Sequence, residues 1–463
     1  MSARLNSAAA RDIAYHIHPY TNLKAHETDG PMIITSGNGV RVKDEAGNEY
    51  IEAMAGLWCA SLGFSEKRLA DAAYKQLTTL PYYHAFAHKS HDPAIDLAER
   101  LIQMAPVPMS KVFFQSSGSE ANDSVVKLVW YYNNALDRPK KKKIIARLRG
   151  YHGVTVASAS LTGLPNNHRD FDLPLPQILH TECPHYYRYG KPGESEEQFA
   201  TRMAESLEQL ILSEGPETCA AFIAEPVMGG GGVIVPPKGY YQKIQAVLDK
   251  YDMLFIADEV ICGFGRTGTM WGSQTLGIRP NMMSMAKALT SAYMPLSAVM
   301  LDEKVYQVLV RQSEKIGVFG HGYTYSGHPV AAAVAVETLK IYEERNIIDH
   351  VRRVGPRLQA GLRKFANHPL VGEVRGVGLV AAVELVKNKE TKEAFDPKSG
   401  VGLYLYKRAQ AHGLIVRNLV DSIAFTPPLI ITEDEIDEVL ARFGRALDET
   451  TAWVEAQKLR AVA

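Results

Sequence analysis

The chain has 463 residues, 46% of them hydrophobic and 22% charged, an ordinary balance for a folded protein and enough length for two lobes. Its 51 basic residues match 51 acidic ones, so no net field draws it to nucleic acid or to a membrane surface. Four scattered cysteines, Cys59, Cys183, Cys219 and Cys262, make no CxxC pair, which argues against a zinc ribbon and for a reducing compartment.

Met1 to Tyr20 is polar and charged, without the apolar segment of a signal peptide, and no run reaches the roughly 18 apolar residues of a membrane span. A cytoplasmic enzyme is the simplest class. Gly39 to Ala53 reads as a hairpin: Val40 and Val42 lead into a turn at Asp44 to Asn48, and Tyr50 and Ile51 return. A helix follows from Glu66 to Leu80 and stops at Pro81. His84, His88 and His91 would face one way on a helix, but Ser90 and Asp92-Pro93 look like a fresh helix start, so no metal site is read there.

From about residue 92, helices alternate with short apolar strands. The strands are 112–114, 144–146, 220–223, 254–257, 282–285 and 296–300; the helices between them include 196–212 and 240–251. The run Lys140 to Lys143 reads as a solvated turn. Such alternation predicts an α/β fold with a mostly parallel sheet covered on both faces, and ligands at the carboxyl ends of its strands. Residues 71–327 are assigned to this large lobe. Beyond 328 come an Ala-rich helix, Ala331 to Glu344, strands near Leu379 to Leu385 and Leu414 to Arg417, and a charged amphipathic helix from Glu433 onward. Residues 328–463, joined by 1–70, are expected to form a smaller α+β domain from both chain ends.

Two charged residues break the apolar strands. Asp258 ends the run Leu254 to Ala257, and Lys287 follows the run Met282 to Ala286. A lysine and an aspartate at the ends of neighbouring core strands are costly unless something neutralises or uses them. Pyridoxal phosphate takes both: an amine for its imine and a carboxylate for its ring nitrogen. A place for its phosphate exists after strand 112–114, where Ser117, Gly118 and Ser119 open a helix and Ser117 with Glu120 fits a capping box. Taken alone, that segment reads more readily as a plain helix cap.

Other residues carry weaker signals. Tyr151, in Tyr151-His152-Gly153, is placed to stack on a pyridine ring or to pack in the core, and Val260 to cover the other face. Trp58 lines a pocket or belongs to the core. Arg417, in an otherwise apolar strand, grips a carboxylate or sits at the surface. The Gly229 to Gly232 run lacks a GxGxxG spacing, which counts against a nicotinamide oxidoreductase; no Walker sequence and no HExxH occurs.

The segments Ser117 to Asn122, Tyr151-His152-Gly153, Glu225-Pro226-Val227, Ile256 to Val260, Gly263 to Gly268, Ala286-Lys287 and His321 to Pro329 together resemble the class III, or omega-amino-acid, aminotransferases of pyridoxal-phosphate fold type I. The likeness spans nearly the whole chain and leans toward the amine:pyruvate and beta-alanine:pyruvate group. It implies Lys287 and Asp258 as catalytic residues. It implies cofactor contacts from Ser117, Gly118, Ser119, Tyr151, His152, Glu225 and Val260, and from Thr324 across a homodimer or tetramer. It implies Trp58, Tyr151, Gly230 and Arg417 around the substrate, Gly230 standing where several relatives carry alanine. A primary amine and a keto acid, pyruvate first, would be the partners in a ping-pong reaction. A decarboxylase or aminomutase on the same fold, a nicotinamide oxidoreductase, or a scaffold in which Lys287 and Asp258 merely pair are the competing readings. The donor stays open among beta-alanine, taurine, diamines, longer omega-amino acids and aryl-alkyl amines.

Overall fold

A computed structural model describes residues 7–460. The part of the Met1 to Tyr20 reading that concerns residues 1–6 lies outside the described residues. At the centre stands a seven-stranded sheet in the order 111–115, 297–301, 282–285, 254–258, 219–224, 143–147, 178–181. The five strands from 282–285 to 178–181 run parallel, and only Ser297–Leu301 runs antiparallel to both its neighbours. Cys219–Ala224, Leu254–Asp258 and Met282–Met285 are buried at every position, because helices cover both faces of the sheet. Ile144 and Ala146 point to one apolar cluster with Val125, Val129 and Val305; Ile145, between them, points to the other with Phe199, Leu207 and Ile244.

The helices form where their caps and periodicity place them. Glu196–Glu214 starts at a Ser195–Gln198 capping box, buries Phe199, Met203, Leu207 and Ile211 at one-turn spacing, and ends at Gly215, with φ 86°. Lys67–Thr79 falls within a residue of expectation at each end, and Asp92–Gln103 starts where expected, capped by His91 with Pro93 in its first turn. Strand Ile178–Thr181 was not legible: it has four residues at a sheet edge, with only Ile178 and Thr181 buried.

Both chain ends contribute to a second group of sheets. The hairpin Arg41–Asp44 and Glu49–Glu52 pairs with Ile34–Asn38 on one side. On the other it takes strand Leu414–Ile415 in parallel, with Leu414 opposite Ile51. A four-stranded antiparallel sheet, in the order 371–377, 380–385, 422–425, 417–419, completes it. The expected single strand Leu414 to Arg417 is therefore corrected. The chain leaves one sheet at Ile415, turns at buried Val416, and joins the other at Arg417, opposite Ala424. Glu433–Ala456, opened by a Thr432–Glu435 capping box, packs on Val401–Ala411 and Ile347–Arg363. The alanine face of Pro329–Glu344 lets it lie close on Lys67–Thr79 and Asp92–Gln103.

The lysine run is also corrected. Lys141 is buried and donates to the Tyr251 carbonyl at 2.9 Å. Lys142 donates to the Trp130 carbonyl at 3.0 Å, and Lys143, already in a strand, to Glu214. Lys141 and Lys143 satisfy carbonyls at helix ends, Tyr251 and Glu214, and burial lowers the affinity of Lys141 and Lys142 for their protons. Among the described residues no helix is long and apolar enough to cross a membrane.

One buried acid makes stability depend on pH. Glu52 ends its strand 4% exposed; one oxygen accepts the Gly56 amide and the other has no partner. Burial pushes its carboxyl up to about 7. A raised folded value means a contribution fully present below the ordinary carboxylate range and lost as pH rises through about 7. Glu52→Gln should therefore gain about 2–3 kcal/mol on the wild type between about pH 5 and pH 8. Denaturant unfolding at both values measures this, and a difference that stays flat with pH defeats it.

Candidate active site

Asp258 is the last residue of strand Leu254–Asp258, and its parallel neighbour ends at Met285, with Asp258 opposite Ser284. Two residues beyond that neighbour, Lys287 opens a short helical turn at φ 51°, a left-handed backbone that a lysine adopts only when its surroundings hold it there. The two side chains thus converge at the carboxyl ends of adjacent strands. They line one cavity of about 120 Å³ with Gly118, Ser119, Tyr151, His152, Glu225 and Val260.

Asp258 is 2% exposed and tightly held. Its Oδ2 accepts from His152 Nδ1 at 2.7 Å and Asn122 Nδ2 at 2.8 Å, and its Oδ1 accepts only the Val260 amide at 3.1 Å. One carboxylate oxygen thus keeps free acceptor capacity. No ion pair joins Asp258 to Lys287, whose amine pairs with no acid of the described chain. Burial lowers the Lys287 amine from the ordinary lysine range, against the attraction of Asp258.

Opposite, helix Gly118–Ala135 begins. Ser117 Oγ accepts from the Glu120 amide at 3.2 Å, and Glu120 returns to the Ser117 amide at 3.1 Å. That reciprocal cap leaves the Gly118 and Ser119 amides without a partner in the described chain, at the positive end of an 18-residue helix. Ser119 Oγ accepts the Val154 amide at 3.1 Å and keeps its own hydrogen free. Gly153, at φ 133°, makes the approach possible: a Cβ there would stand 2.6 Å from Ser119 Oγ.

A buried acid sets the remaining wall. Glu225 accepts the Tyr151 amide at 2.9 Å through one oxygen and the Gly229 amide at 2.9 Å through the other. It ties the Tyr151 loop to the Gly229–Gly232 turn, a physical role that the sequence reading lacked. Behind Tyr151, a Cβ on Gly230 would come 3.0 Å from Tyr151 Cβ. Gly230→Ala should press Tyr151 toward the cavity by a few tenths of an ångström.

Not every expected residue reaches this cavity. Ser117 is exposed and spends its hydroxyl on the cap. Trp58, 5% exposed at φ 65°, packs with Met54, Val227 and Ile261, of which Ile261 lines the cavity. Thr324 is exposed, its carbonyl accepting from the Tyr82 hydroxyl at 2.8 Å. Arg417 stands apart, half-buried beside Tyr406. Asn122 was missed, although it belongs to the Ser117–Asn122 segment: its amide nitrogen bridges Asp258 and the His152 carbonyl, at 2.8 and 2.7 Å. Its place four residues into the helix gave it an inward face, but no spacing rule pairs it with Asp258.

A strand-end carboxylate, an unpaired half-buried lysine and an open helix N-terminus at the edge of a mostly parallel sheet are the furnishings of a fold type I pyridoxal-phosphate transferase. The class-III aminotransferase pattern matches residues 23–447. The chain is 56% identical over 429 residues to gamma aminobutyrate transaminase 1, mitochondrial, of Solanum lycopersicum, covering 92% of this chain and 83% of that one. It is 53% identical to the vanillin aminotransferase of Capsicum frutescens, covering 92% and 94%. The omega transaminase from Pseudomonas jessenii, solved in complex with PMP, superposes with a TM-score of 0.96 at 59% identity, covering 97% of this chain and 99% of that one. The protein belongs to the class-III aminotransferases, enzymes that transfer amino groups with pyridoxal phosphate.

Proposed function

We propose that this aminotransferase moves the amino group of a primary amine or omega-amino acid to pyruvate, in two half-reactions on one site. The observation that carries the reading is the cavity in which the Lys287 amine, unpaired, faces the half-open carboxylate of Asp258. The donor set fits the cofactor: a free carboxylate oxygen for a ring N–H, an amine, and two unpaired amides with a hydroxyl for a phosphate. When bound, pyridoxal phosphate supplies a protonated ring that absorbs the charge left as the carbon bearing nitrogen loses its proton.

The side chains supply the rest. Lys287 Nζ takes that proton and returns it, and its burial favours the uncharged amine that a base requires. Asp258 holds the ring proton, with His152 and Asn122 fixing its carboxylate. Gly118 and Ser119 bind phosphate, Tyr151 and Val260 flank the ring, and Glu225 sets the Tyr151 loop. Ser117 acts through the helix cap. Trp58 shapes the amine pocket from behind Ile261, and Arg417 holds a carboxylate. A solved relative engineered for bulky amines carries replacements of a tryptophan, a phenylalanine and an arginine, which supports these last two roles.

The working unit we propose is a homodimer in which Thr324 completes the partner's phosphate site. Exposed Tyr82, Tyr83, Phe86, Val318 and Tyr325 support this: Tyr82 and Tyr325 touch edge to face at 5.7 Å, and so large an apolar surface calls for a cover. The two lobes divide at 70 and 327 in this reading, with Pro329–Glu344 at the junction. The four free thiols support a reducing compartment, which we read as the cytoplasm.

The test is a panel of amines, with gamma-aminobutyrate, beta-alanine, taurine, a diamine and an aryl-alkyl amine, each assayed with pyruvate and with 2-oxoglutarate. Pyruvate should win for the preferred donor. Faster turnover with 2-oxoglutarate, or carbon dioxide release without any keto acid, would overturn the reading.

A further inference from the structure

The N-terminal segment gathers four side chains of metal-ligand type that the amino-transfer reading leaves unused. Asp12 lies on helix Ala8–Tyr15, and His16 caps it four residues later, so the two share a face. The chain then turns through Tyr20, at φ 51°, into helix Leu23–Asp29, which presents His26 inward, 9% exposed. Asp12 Oδ1 lies 3.1 Å from His16 Nδ1, and Oδ2 lies 2.7 Å from His18 Nε2 and 3.1 Å from His26 Nε2. The ligand atoms of Asp12, His16 and His18 all fall within 4.8 Å of one another. The rings of His18 and His26 lie with centroids 4.1 Å apart, which turns both Nε2 atoms toward one carboxylate.

A second converging group shows what a filled arrangement looks like. His185, Glu373 and Glu384 also meet, but Arg375 donates to both carboxylates and Arg188 to Glu384, so a cation is already in place. At Asp12 the only partners among the described residues are imidazoles, and no lysine or arginine pairs with it.

We propose that Asp12, His16 and His18 bind one divalent transition-metal ion of the zinc class, with the fourth position left to water and His26 holding the Asp12 carboxylate, and so clamp the N-terminal segment. Zinc takes imidazole nitrogen and carboxylate oxygen at about 2.0–2.2 Å in a tetrahedron, which sets its ligand atoms about 3.4 Å apart. The gaps of 2.7–3.1 Å from Asp12 to His16 and His18 need to open by a few tenths of an ångström, and the two imidazole nitrogens, which lie within 4.8 Å of each other, settle toward the same spacing. Each of these two neutral rings then carries its hydrogen on the far nitrogen. His16 is 63% exposed, which gives the ion a path from solvent. The clamp has a consequence for the cavity. Tyr20, between His18 and His26, accepts a hydrogen bond from Asn167 at 2.6 Å and bears on Tyr151, whose hydroxyl is pushed up by burial first and then by Tyr20.

The experiment uses the cofactor-loaded enzyme, stripped with a chelator, dialysed, and titrated with zinc by calorimetry. One ion per chain should bind, and the thermal midpoint should rise with zinc. His16→Ala with His18→Ala should weaken binding at least about 100-fold, more than the loss of a merely orienting partner, and erase the thermal shift. No saturable binding would overturn the proposal. So would binding that persists unchanged in the double variant, which would place the ion at the cysteines or elsewhere. Should the double variant misfold, His16→Ala alone makes the same comparison, because that ring is largely in solvent.

Discussion

Lys287→Ala should lower kcat by about 10⁴-fold for every amine the enzyme accepts, the upper end of what positioned proton transfer contributes. The expectation rests on the isolation of Lys287. Among the described residues no other amine lines the cavity, so no neighbouring amine replaces it as base and then acid. The fold should survive, because the variant removes a buried amine that pairs with no acid. Burial lowers the folded lysine below its unfolded value, so protonation favours the unfolded chain, and the wild type gains stability as pH rises through that range. In cofactor-free protein, the stability advantage of the variant should therefore be larger at low pH than at high pH. Single-turnover kinetics and thermal unfolding read the two effects separately. Multiple turnovers near the wild-type rate would end the assignment of Lys287.

Asp258→Asn should cost about 10²- to 10⁴-fold in both half-reactions. Breaking a buried charge pair costs about 3–5 kcal/mol, and each 1.4 kcal/mol is a factor of ten. The substitution keeps the volume and an oxygen for His152 and Asn122, so the loss falls on the charge that holds the ring proton. Absorbance of the bound cofactor separates chemistry from binding. If kcat falls less than about 10-fold while the cofactor stays bound, Asp258 is a structural anchor for His152 and the electron-sink role is wrong.

The most legible parts of the chain were those where one physical rule decides. Strand Leu254–Asp258 is a run of apolar residues closed by an acid, and the sheet buries all five. Ser117 and Glu120 form the reciprocal cap that their spacing predicts. Less legible were the places where distant segments meet. Asn122 reaches Asp258 across 136 positions of sequence, and no local pattern encodes that hydrogen bond. The lysine run misled because charge was read as exposure, whereas Lys141 buries its stem and finds the Tyr251 carbonyl. Arg417 and Trp58 show the same limit, since their surroundings come from other elements.

By itself, the sequence determined the alternation of helices and strands, the acid and the amine at two strand ends, and the helix that opens after Ser117. Those depend on periodicity and on short-range capping, which act within a few residues. Only the tertiary structure decided that the acid and the amine stay unpaired across one cavity, that Glu225 ties Tyr151 to the glycine turn, and that Asp12 collects three imidazoles. Each of these is a contact between segments far apart in the chain. Its energy appears only when the packed core fixes both partners, so the local order of residues leaves it unspecified.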